Sequence, residues 1–304
     1  MKLNIQVLVI FCLLVVFAGK FFAQKDNVFT DWTARSSFLS QQISGGTIEQ
    51  KRDALLEIRN LETADASRIA ISALRDESEI VRATATASIV FLPSDEAAQN
   101  LIPILKDKKP LVRREAAYAL GKVGNPGAIS SLLQVGQKDK VLEVRNAAII
   151  ALGEIGDVSA VNELVKFLQR KPQANEEFTR RSAARSIGQI AQIVQTGRVE
   201  VITPENFLPE RFKSLERPNY PKLVESFPPF RPAVNVLIQS LQNPKEFQDV
   251  KREAAFALGA IGDESAVPIL QINLGSEDYY LAEICRESLS KIALADSLEP
   301  SAEK

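Results

Sequence analysis

The stretch that decides the fold is Val112-Arg-Arg-Glu-Ala-Ala-Tyr-Ala-Leu-Gly-Lys-Val-Gly124, followed by Asn125. It recurs along the 304-residue chain. The copies open at Gln50, Val81, Val112, Val144, Thr179, Val250 and Leu281. These openings lie 31, 31, 32, 35, 71 and 31 residues apart. Self-similarity at this period predicts a stack of helical hairpins, with one hairpin in each repeat.

Each copy predicts two helices. In the copy that opens at Val112, apolar residues recur at spacings of three and four, which is typical of a helix. Gly124 follows the last apolar position, where a left-handed residue ends a helix, and Asn125 can cap the next helix. Neither helix can bury its apolar face alone, so consecutive hairpins must stack. The predicted fold class is all-α, an α–α superhelix of about seven repeats.

The shared pattern Val-Arg-x-x-Ala-Ala-x-Ala-Leu-Gly-x-Ile/Val-Gly-Asp/Asn resembles the short HEAT repeat of phycobilin lyase subunits, the PBS lyase HEAT-like repeat. The resemblance covers about residues 50–293, with one interruption. It implies an armadillo-like solenoid whose second helices line a concave surface. It also implies a binding scaffold, since scaffolds dominate this family. A lyase-like or other enzyme subunit is the alternative.

A ladder of aspartates and arginines accompanies the repeats. Asp107 precedes the opening Val112 by five residues, and Arg113 follows it directly. The same positions in neighbouring copies hold Asp76, Arg82, Asp139 and Arg145. In the resembling family such pairs tie the loop of one hairpin to the next. We therefore expect Asp107 and Arg113 to lie close together at a repeat junction, in a structural role.

A column of polar residues is predicted on the outward side of the second helices. It lies one position after the Ala-Ile/Val pair of each copy. Its candidate partner-binding members are Gln99, Ser130, Asn162 and Asn235. Neutral polar side chains of this kind can hydrogen-bond an extended protein partner, although an ordinary solvated face would have the same composition.

An insert of about residues 192–230 interrupts the array. Seven of the fifteen prolines lie within it or directly after it, which forbids a regular helix there. Because it also carries aromatic residues, which disordered segments lack, we predict an ordered loop packed on the array. Phe227 and Phe230 are expected to hold the loop. Phe207, Phe212 and Tyr220 are candidates for contact with a partner.

The ends of the chain are interpreted separately from the array. Within residues 1–23, Lys2 precedes an apolar run from Ile5 to Gly19. This pattern indicates one of three things: a cleaved signal peptide, a retained membrane anchor through residues 5–19, or a buried helix. A signal peptide or a membrane anchor would each predict a periplasmic or secreted protein. The anchor would in addition tether the protein to the membrane. Residues 24–49 are expected to cap the first repeat, with docking of a partner through Trp32 as the alternative. Residues 294–304 are expected to form a disordered tail.

Composition excludes several kinds of chemistry. The chain has no histidine, so histidine-based catalysis and the usual zinc and iron sites are excluded, including the His-Glu iron ligands of the HEAT-like deoxyhypusine hydroxylases. A net charge of −1 argues against nucleic acid as a partner. Cys285 is expected to be a small buried residue. We assign no catalytic, cofactor-binding or metal-binding residue, and predict a non-enzymatic scaffold for a protein partner outside the cytoplasm.

Overall fold

The structure, a computed structural model, describes residues 32–201, 203–209, 219–220 and 222–296. The predicted leader and the end of the predicted tail lie outside these residues. Every regular element in the described ranges is an α-helix or a 3-10 helix. The helices fall into two compact units, one up to Ile89 and one from Val90. The predicted all-α, HEAT-like solenoid class is confirmed.

The first unit contains four α-helices among its described residues: α1 over residues 32–45, α2 (Ile48–Leu61), α3 (Ala64–Ala70) and α4 (Glu79–Ser88). A 3-10 segment, Ile71–Arg75, extends α3. Helix α1 buries Leu39 and Ile43. Thr47 and Gln50 form the capping box that starts α2, because each side chain accepts a hydrogen bond from the other residue's backbone N–H.

The second unit alternates first and second helices of the repeats. The first helices are α6 (Pro110–Val123), α8 (Leu142–Ile155), α10 (Glu177–Thr196), α13 (Gln248–Ile261) and α15 (Tyr279–Asp296). The second helices are α5 (Ser94–Leu101), α7 (Ile129–Lys138), α9 (Val161–Leu168), α12 (Phe230–Gln242) and α14 (Val267–Asn273). A short helix in the insert, Leu223–Ser226, is α11, and the 3-10 segment Ile102–Lys106 extends α5.

The turn between the two helices of a repeat follows from local chemistry. Gly124, Gly156 and Gly262 take positive φ values of 69°, 77° and 79°, which end α6, α8 and α13. The next residue then accepts a hydrogen bond on its side-chain oxygen from the backbone N–H two residues later. Asn125 does so from Gly127 at 2.8 Å, and Asp157 does so from Ser159 at 2.8 Å. The prediction that glycine ends the first helix and that the following Asn or Asp caps the second helix is therefore confirmed.

Consecutive first helices approach each other closely through small residues. A Cβ atom added to Gly153 would lie 2.8 Å from the Cα of Ser186 on the next first helix. The Ser186 hydroxyl in turn donates a hydrogen bond of 2.9 Å to the Ile149 carbonyl of α8. Ser288 repeats this bond to Ala255 at 2.8 Å. Glycine in one helix and a small residue in its neighbour thus set the spacing of the stack.

The Asp–Arg ladder joins the repeat of Arg113 to the following repeat. Arg113 lies close to Asp107, as predicted, but it donates to the Asp107 backbone carbonyl at 2.9 Å. Its carboxylate partner is Asp139 of the following repeat, with Arg113 Nε–Oδ2 and Nη2–Oδ1 distances of 2.7 and 2.9 Å. The predicted proximity of Asp107 and Arg113 is therefore confirmed, and the carboxylate that Arg113 pairs with is the one of the following repeat. Arg113 contacts both the turn before its own helix, at Asp107, and the turn before the next first helix, at Asp139. It can do so because stacking of the repeats places these two turns side by side.

The environment of Asp139 favours its charged form. Burial acts to raise the pKa of this carboxyl, but the hydrogen bonds from Arg113 and from the Val141 N–H, with the charges of Arg113 and Arg145, lower it below the ordinary value. A depressed folded-state pKa contributes stability that is present above the unfolded pKa and is lost as the pH falls through the folded-state pKa.

We expect Asp139→Asn to lower the free energy of unfolding by about 1–3 kcal/mol at neutral pH, the range for hydrogen bonds to charged groups. The difference from the native chain should shrink as the pH falls from about 4, the ordinary pKa of an Asp in the unfolded chain, through the lower folded-state pKa of Asp139. Denaturant titrations at several pH values measure both effects. Asp157→Asn is the matched control, because the equivalent position of the preceding repeat is already Asn125. Equal effects of the two substitutions at pH 7 would contradict the assignment.

Candidate functional site

The predicted polar column lies on one face of the second helices in the second unit. Gln99 on α5, Ser130 on α7, Asn162 on α9 and Asn235 on α12 are all exposed. Their orientation is imposed by buried neighbours: Val161 and Leu164, on either side of Asn162, are both fully buried. We call this face the second-helix surface.

Two shallow depressions adjoin each other on this surface. One, of about 630 Å³, lies between α7 and the turn before α9, and Ser130 and Gln134 are among its lining residues. The other, of about 450 Å³, lies between the 3-10 extension of α5 and α7, and its lining includes Ile102, Leu105 and Val135. Gln134 and Lys138 line both depressions, so the two are continuous along α7.

The insert begins later than predicted. Helix α10 continues to Thr196 and ends at Gly197, which has a φ of 74°, so the interruption spans residues 197–229 rather than 192–230. Residues 192–196 contain no glycine that could end the helix one turn earlier. The extra turn carries Gln192 and Gln195, which both hold the insert.

Both described limbs of the insert pack on the array, as predicted. On the first limb, the Val199 carbonyl accepts from Gln189 Nε2 at 2.8 Å and the Glu205 carboxylate accepts from Lys291 of α15 at 3.0 Å. On the second limb, the Tyr220 N–H donates to Gln195 Oε1 at 2.9 Å and its carbonyl accepts from Gln195 Nε2 at 3.0 Å. Replacing residues 195–229 by a linker would remove these anchors and the buried Leu223 and Val224, so this segment is part of the packed unit.

The aromatic residues of the insert divide between core and surface. Phe230 is fully buried and Phe227 is half-buried, as expected for the residues that hold the loop. Tyr220 is 40% exposed and lies edge-on to Phe227 at a centroid distance of 5.1 Å. Phe212 lies outside the described residues.

Phe207 is 51% exposed but is not isolated from the array. Its ring centroid lies 5.9 Å from that of Tyr279 and 5.7 Å from that of Tyr280. The two tyrosines, 61% and 52% exposed, begin α15 and extend the aromatic surface that Phe207 presents. Sequence reasoning did not single them out, although two adjacent tyrosines before the opening of a repeat were a visible signal.

An ion-pair network links three first helices. Arg185 of α10 contacts Glu253 of α13 at 3.2 Å, and Arg252 of α13 contacts Asp278 before α15 at 2.8 Å. Burial raises the pKa of Glu253, and the charges of Arg185 and Arg181 oppose that shift. A perturbed carboxyl can mark a catalytic site. Here the carboxylate is already paired with guanidinium groups of the adjacent helix, so the arrangement is that of an inter-repeat contact.

Two further results concern membrane and metal chemistry. No helix among the described residues is long and apolar enough to cross a membrane. Within the same ranges, no three Asp, Glu or Cys side chains come together in a way that could hold a metal ion.

Cys285 is fully buried on α15, as predicted for a small core residue. Burial raises the pKa of its thiol to about 12, so the reactive thiolate is scarce at neutral pH.

We expect Cys285 to react with iodoacetamide at pH 8 only as fast as the array opens, in a chain carrying Cys12→Ser. Mass spectrometry of the alkylated protein measures the rate. Ser290→Cys, at an exposed position of the same helix, is the control that should react at once. Comparable rates at the two positions would show that α15 is not packed as described.

Comparison with known proteins agrees with this architecture. A family model for HEAT repeats matches residues 67–153. A model for PBS lyase HEAT-like repeats matches residues 144–170 and 250–276. The chain contains HEAT repeats. The HEAT-repeat pattern proposed from the motif is thus found on both sides of the insert.

Individual relatives of this HEAT-repeat chain include enzymes. A deoxyhypusine hydroxylase from Danio rerio is 35% identical over 81 residues, which are 26% of this chain and 27% of that protein. The match therefore spans about a quarter of that relative's length.

Among solved structures, an engineered protein shares 18% identity with a TM-score of 0.52, covering 85% of this chain and 68% of that one. This likeness supports the fold alone. The complex of CpcE and CpcF of phycocyanin lyase from Nostoc sp. PCC7120 has 19% identity and a TM-score of 0.44, covering 86% of this chain and 94% of that one.

Proposed function

We propose that this HEAT-repeat chain is a non-enzymatic scaffold that binds an extended segment of a protein partner along the second-helix surface. The observation that carries the proposal is the exposed polar column over two continuous depressions. A chain extended across the column could hydrogen-bond Ser130, Asn162 and their equivalents in successive repeats. Hydrogen bonds to main-chain groups would supply affinity for the extended segment, and contacts with its side chains would supply specificity.

The enzymatic alternative draws on the relatives, which include a hydroxylase and a lyase. The absence of histidine from the whole chain counts against a histidine-ligated metal or a histidine base. Among the described titratable groups with shifted pKa values, Asp139 lines one of the two depressions, and Arg113 already donates to both of its carboxylate oxygens. We therefore propose binding rather than turnover.

The proposal is tested by placing a photo-reactive amino acid at Ser130 or Asn162 of the full chain in its native cells. We expect cross-links to one protein partner from both positions. The matched control places the same group at Ser290, which is exposed on a first helix. Equal cross-linking from Ser290, or turnover of a small molecule by the purified chain with no cross-linked partner, would contradict a scaffold that uses the second-helix surface.

We propose that the insert supplies a second contact through Phe207, Phe212 and Tyr220. The exposure of Phe207 and Tyr220 supports this assignment, and Tyr279 and Tyr280 enlarge the surface around Phe207. Truncating Phe207 and Tyr220 to alanine should weaken capture of the same partner without moving the melting temperature by more than a few degrees. Unchanged capture would leave the second-helix surface as the site.

We propose an extracytoplasmic location from Lys2 and the apolar run Ile5 to Gly19. Fusion of residues 1–30 to a reporter that is active only outside the cytoplasm should give activity. A reporter that stays wholly cytosolic would overturn this assignment, and a fusion of residues 24–53 is the control that should remain inactive.

A further inference from the structure

The depression between the 3-10 extension of α5 and α7, which we call the α5–α7 groove, combines an apolar floor with a basic rim. Ile102, Leu105 and Val135 contribute apolar side chains, and Ser131 and Gln134 contribute polar ones. Lys106 and Lys138 stand on the rim, and both are exposed. The groove is thus suited to an apolar side chain flanked by anionic groups.

The two rim lysines are not neutralised by the array. Neither Lys106 nor Lys138 makes an ion pair or side-chain hydrogen bond with any residue that the structure describes. Asp139, the carboxylate among the residues that line the groove, is occupied, because Arg113 donates to both of its oxygens at 2.7 and 2.9 Å. The lysine charges therefore face the groove without a counter-charge from Asp139.

The turns that border the groove reinforce this charge. Residues 106–109 and 138–140 together hold five lysines and two aspartates. The two aspartates, Asp107 and Asp139, turn carboxylate oxygens toward backbone N–H groups, those of Lys109 and Val141, at 2.8 and 2.9 Å. The chain as a whole has a net charge of −1, so this positive region is local and not a consequence of composition.

We propose that the α5–α7 groove binds an acidic, extended segment of the protein partner, with an apolar side chain on its floor and carboxylates paired with Lys106 and Lys138. This inference rests on the proposed scaffold function and names the chemistry of its partner. Packed helices lie about 8–10 Å apart and an extended chain advances about 3.3 Å per residue. Because successive side chains of an extended chain point to opposite faces, the residues that share the face of the apolar residue lie two positions before and two positions after it. The two carboxylates therefore belong four residues apart, with the apolar residue midway between them.

An anionic membrane surface or a nucleic acid could also bind the two lysines, but its anionic groups would make no contact with the apolar floor. A lipid headgroup or phosphate backbone is recognised by charge alone and shows a steep dependence on salt. The floor of Ile102, Leu105 and Val135 therefore favours a peptide whose affinity depends on both an apolar side chain and its flanking charges.

The first measurement uses a fluorescent peptide containing Glu-Ser-Leu-Ser-Glu within a Gly/Ser frame, and reads its anisotropy with the full chain. We expect binding that weakens at least tenfold when both glutamates are replaced by glutamine, and also when the leucine is replaced by serine. Equal binding of the glutamine peptide would overturn the charge pairing. Equal binding of the serine peptide would overturn the role of the floor, and absence of binding would overturn the proposal.

The second measurement uses Lys106→Gln/Lys138→Gln, with Lys122→Gln/Lys245→Gln as the control of equal charge at exposed positions outside the groove. We expect the groove variant to bind the peptide at least tenfold more weakly and the control to bind within twofold. Because lysine near a helix C-terminus also favours the helix, thermal melts of both variants must confirm that they are folded. Equal loss in both variants would mean non-specific charge attraction and would overturn the proposal.

Two further arms separate this inference from the proposed function. If the cross-linker at Ser130 or Asn162 captures a partner that the groove variant retains with unchanged affinity, the scaffold stands and the acidic-segment proposal fails. If neither cross-linking nor peptide binding is seen, both fail. Phosphatidylserine vesicles or single-stranded DNA that bind more tightly than the peptide and lose binding in the groove variant would overturn the peptide as occupant.

Discussion

Glu246→Ala is expected to destabilise the second unit by about 3–5 kcal/mol, the cost of removing one partner from a buried ion pair. The side chains of Glu246 and Arg180 are 0% and 5% exposed. Arg180 Nε lies 3.2 Å from Glu246 Oε1, and the same guanidinium donates to the Leu168 and Arg170 carbonyls at the end of α9. Removing the carboxylate leaves a buried cation with only neutral acceptors.

This pair also explains how the array continues past the insert. Arg180 occupies the position of Arg113 in its repeat, and Glu246 lies just before the opening Val250 of the next repeat. The same type of arginine–carboxylate contact therefore forms here, although the two residues are 66 positions apart in the sequence. It joins the repeat before the insert to the one after it.

Urea unfolding of the full chain measures the effect of Glu246→Ala. Lys245→Ala, at the exposed neighbouring residue, is the control and should change stability by less than about 0.5 kcal/mol. The double variant Arg180→Met/Glu246→Leu should be more stable than Glu246→Ala, because a buried pair replaced by apolar side chains leaves no uncompensated charge. A double variant less stable than Glu246→Ala alone would contradict this account.

Leu120→Ala is expected to cost about 2–5 kcal/mol, the range for large-to-small substitutions in a core. Leu120 is fully buried on α6, as its position in the repeat predicted. Because each hairpin of a repeat array contacts only its neighbours, the loss should spread from α6 to the adjacent helices α5, α7 and α8 before it reaches α15.

Hydrogen exchange resolves that order, and urea unfolding measures the total. Tyr118→Ala, two residues away on the same helix and 38% exposed, is the control that should cost much less. An unchanged unfolding midpoint for Leu120→Ala would mean that the buried face of α6 has been misplaced. Uniform loss of protection over the second unit would mean that it unfolds as a single cooperative body.

The helices and their ends could be predicted because they depend on residues close in sequence. Gly124 and Asn125 end one helix and begin the next through hydrogen bonds that reach no further than four residues. The burial of Leu120 and Cys285 followed from apolar periodicity in the same way. The extension of α10 to Thr196 belongs to this class, since the missing glycine was visible, but the length of the other first helices set the predicted boundary too early.

Tertiary structure alone decided which residues meet across repeats. Arg113 has Asp107 nearer in sequence, yet Asp139 is its carboxylate partner because the stacking register brings the next turn alongside. Phe207 is a candidate for contact with a partner from the sequence, and only folding shows that it lies beside Tyr279 and Tyr280. Lys106 and Lys138 face one groove for the same reason. By itself the sequence determined a HEAT-repeat array through its local caps and periodicity, whereas the ladder, the aromatic surface and the charged groove depend on contacts that only stacked helices create.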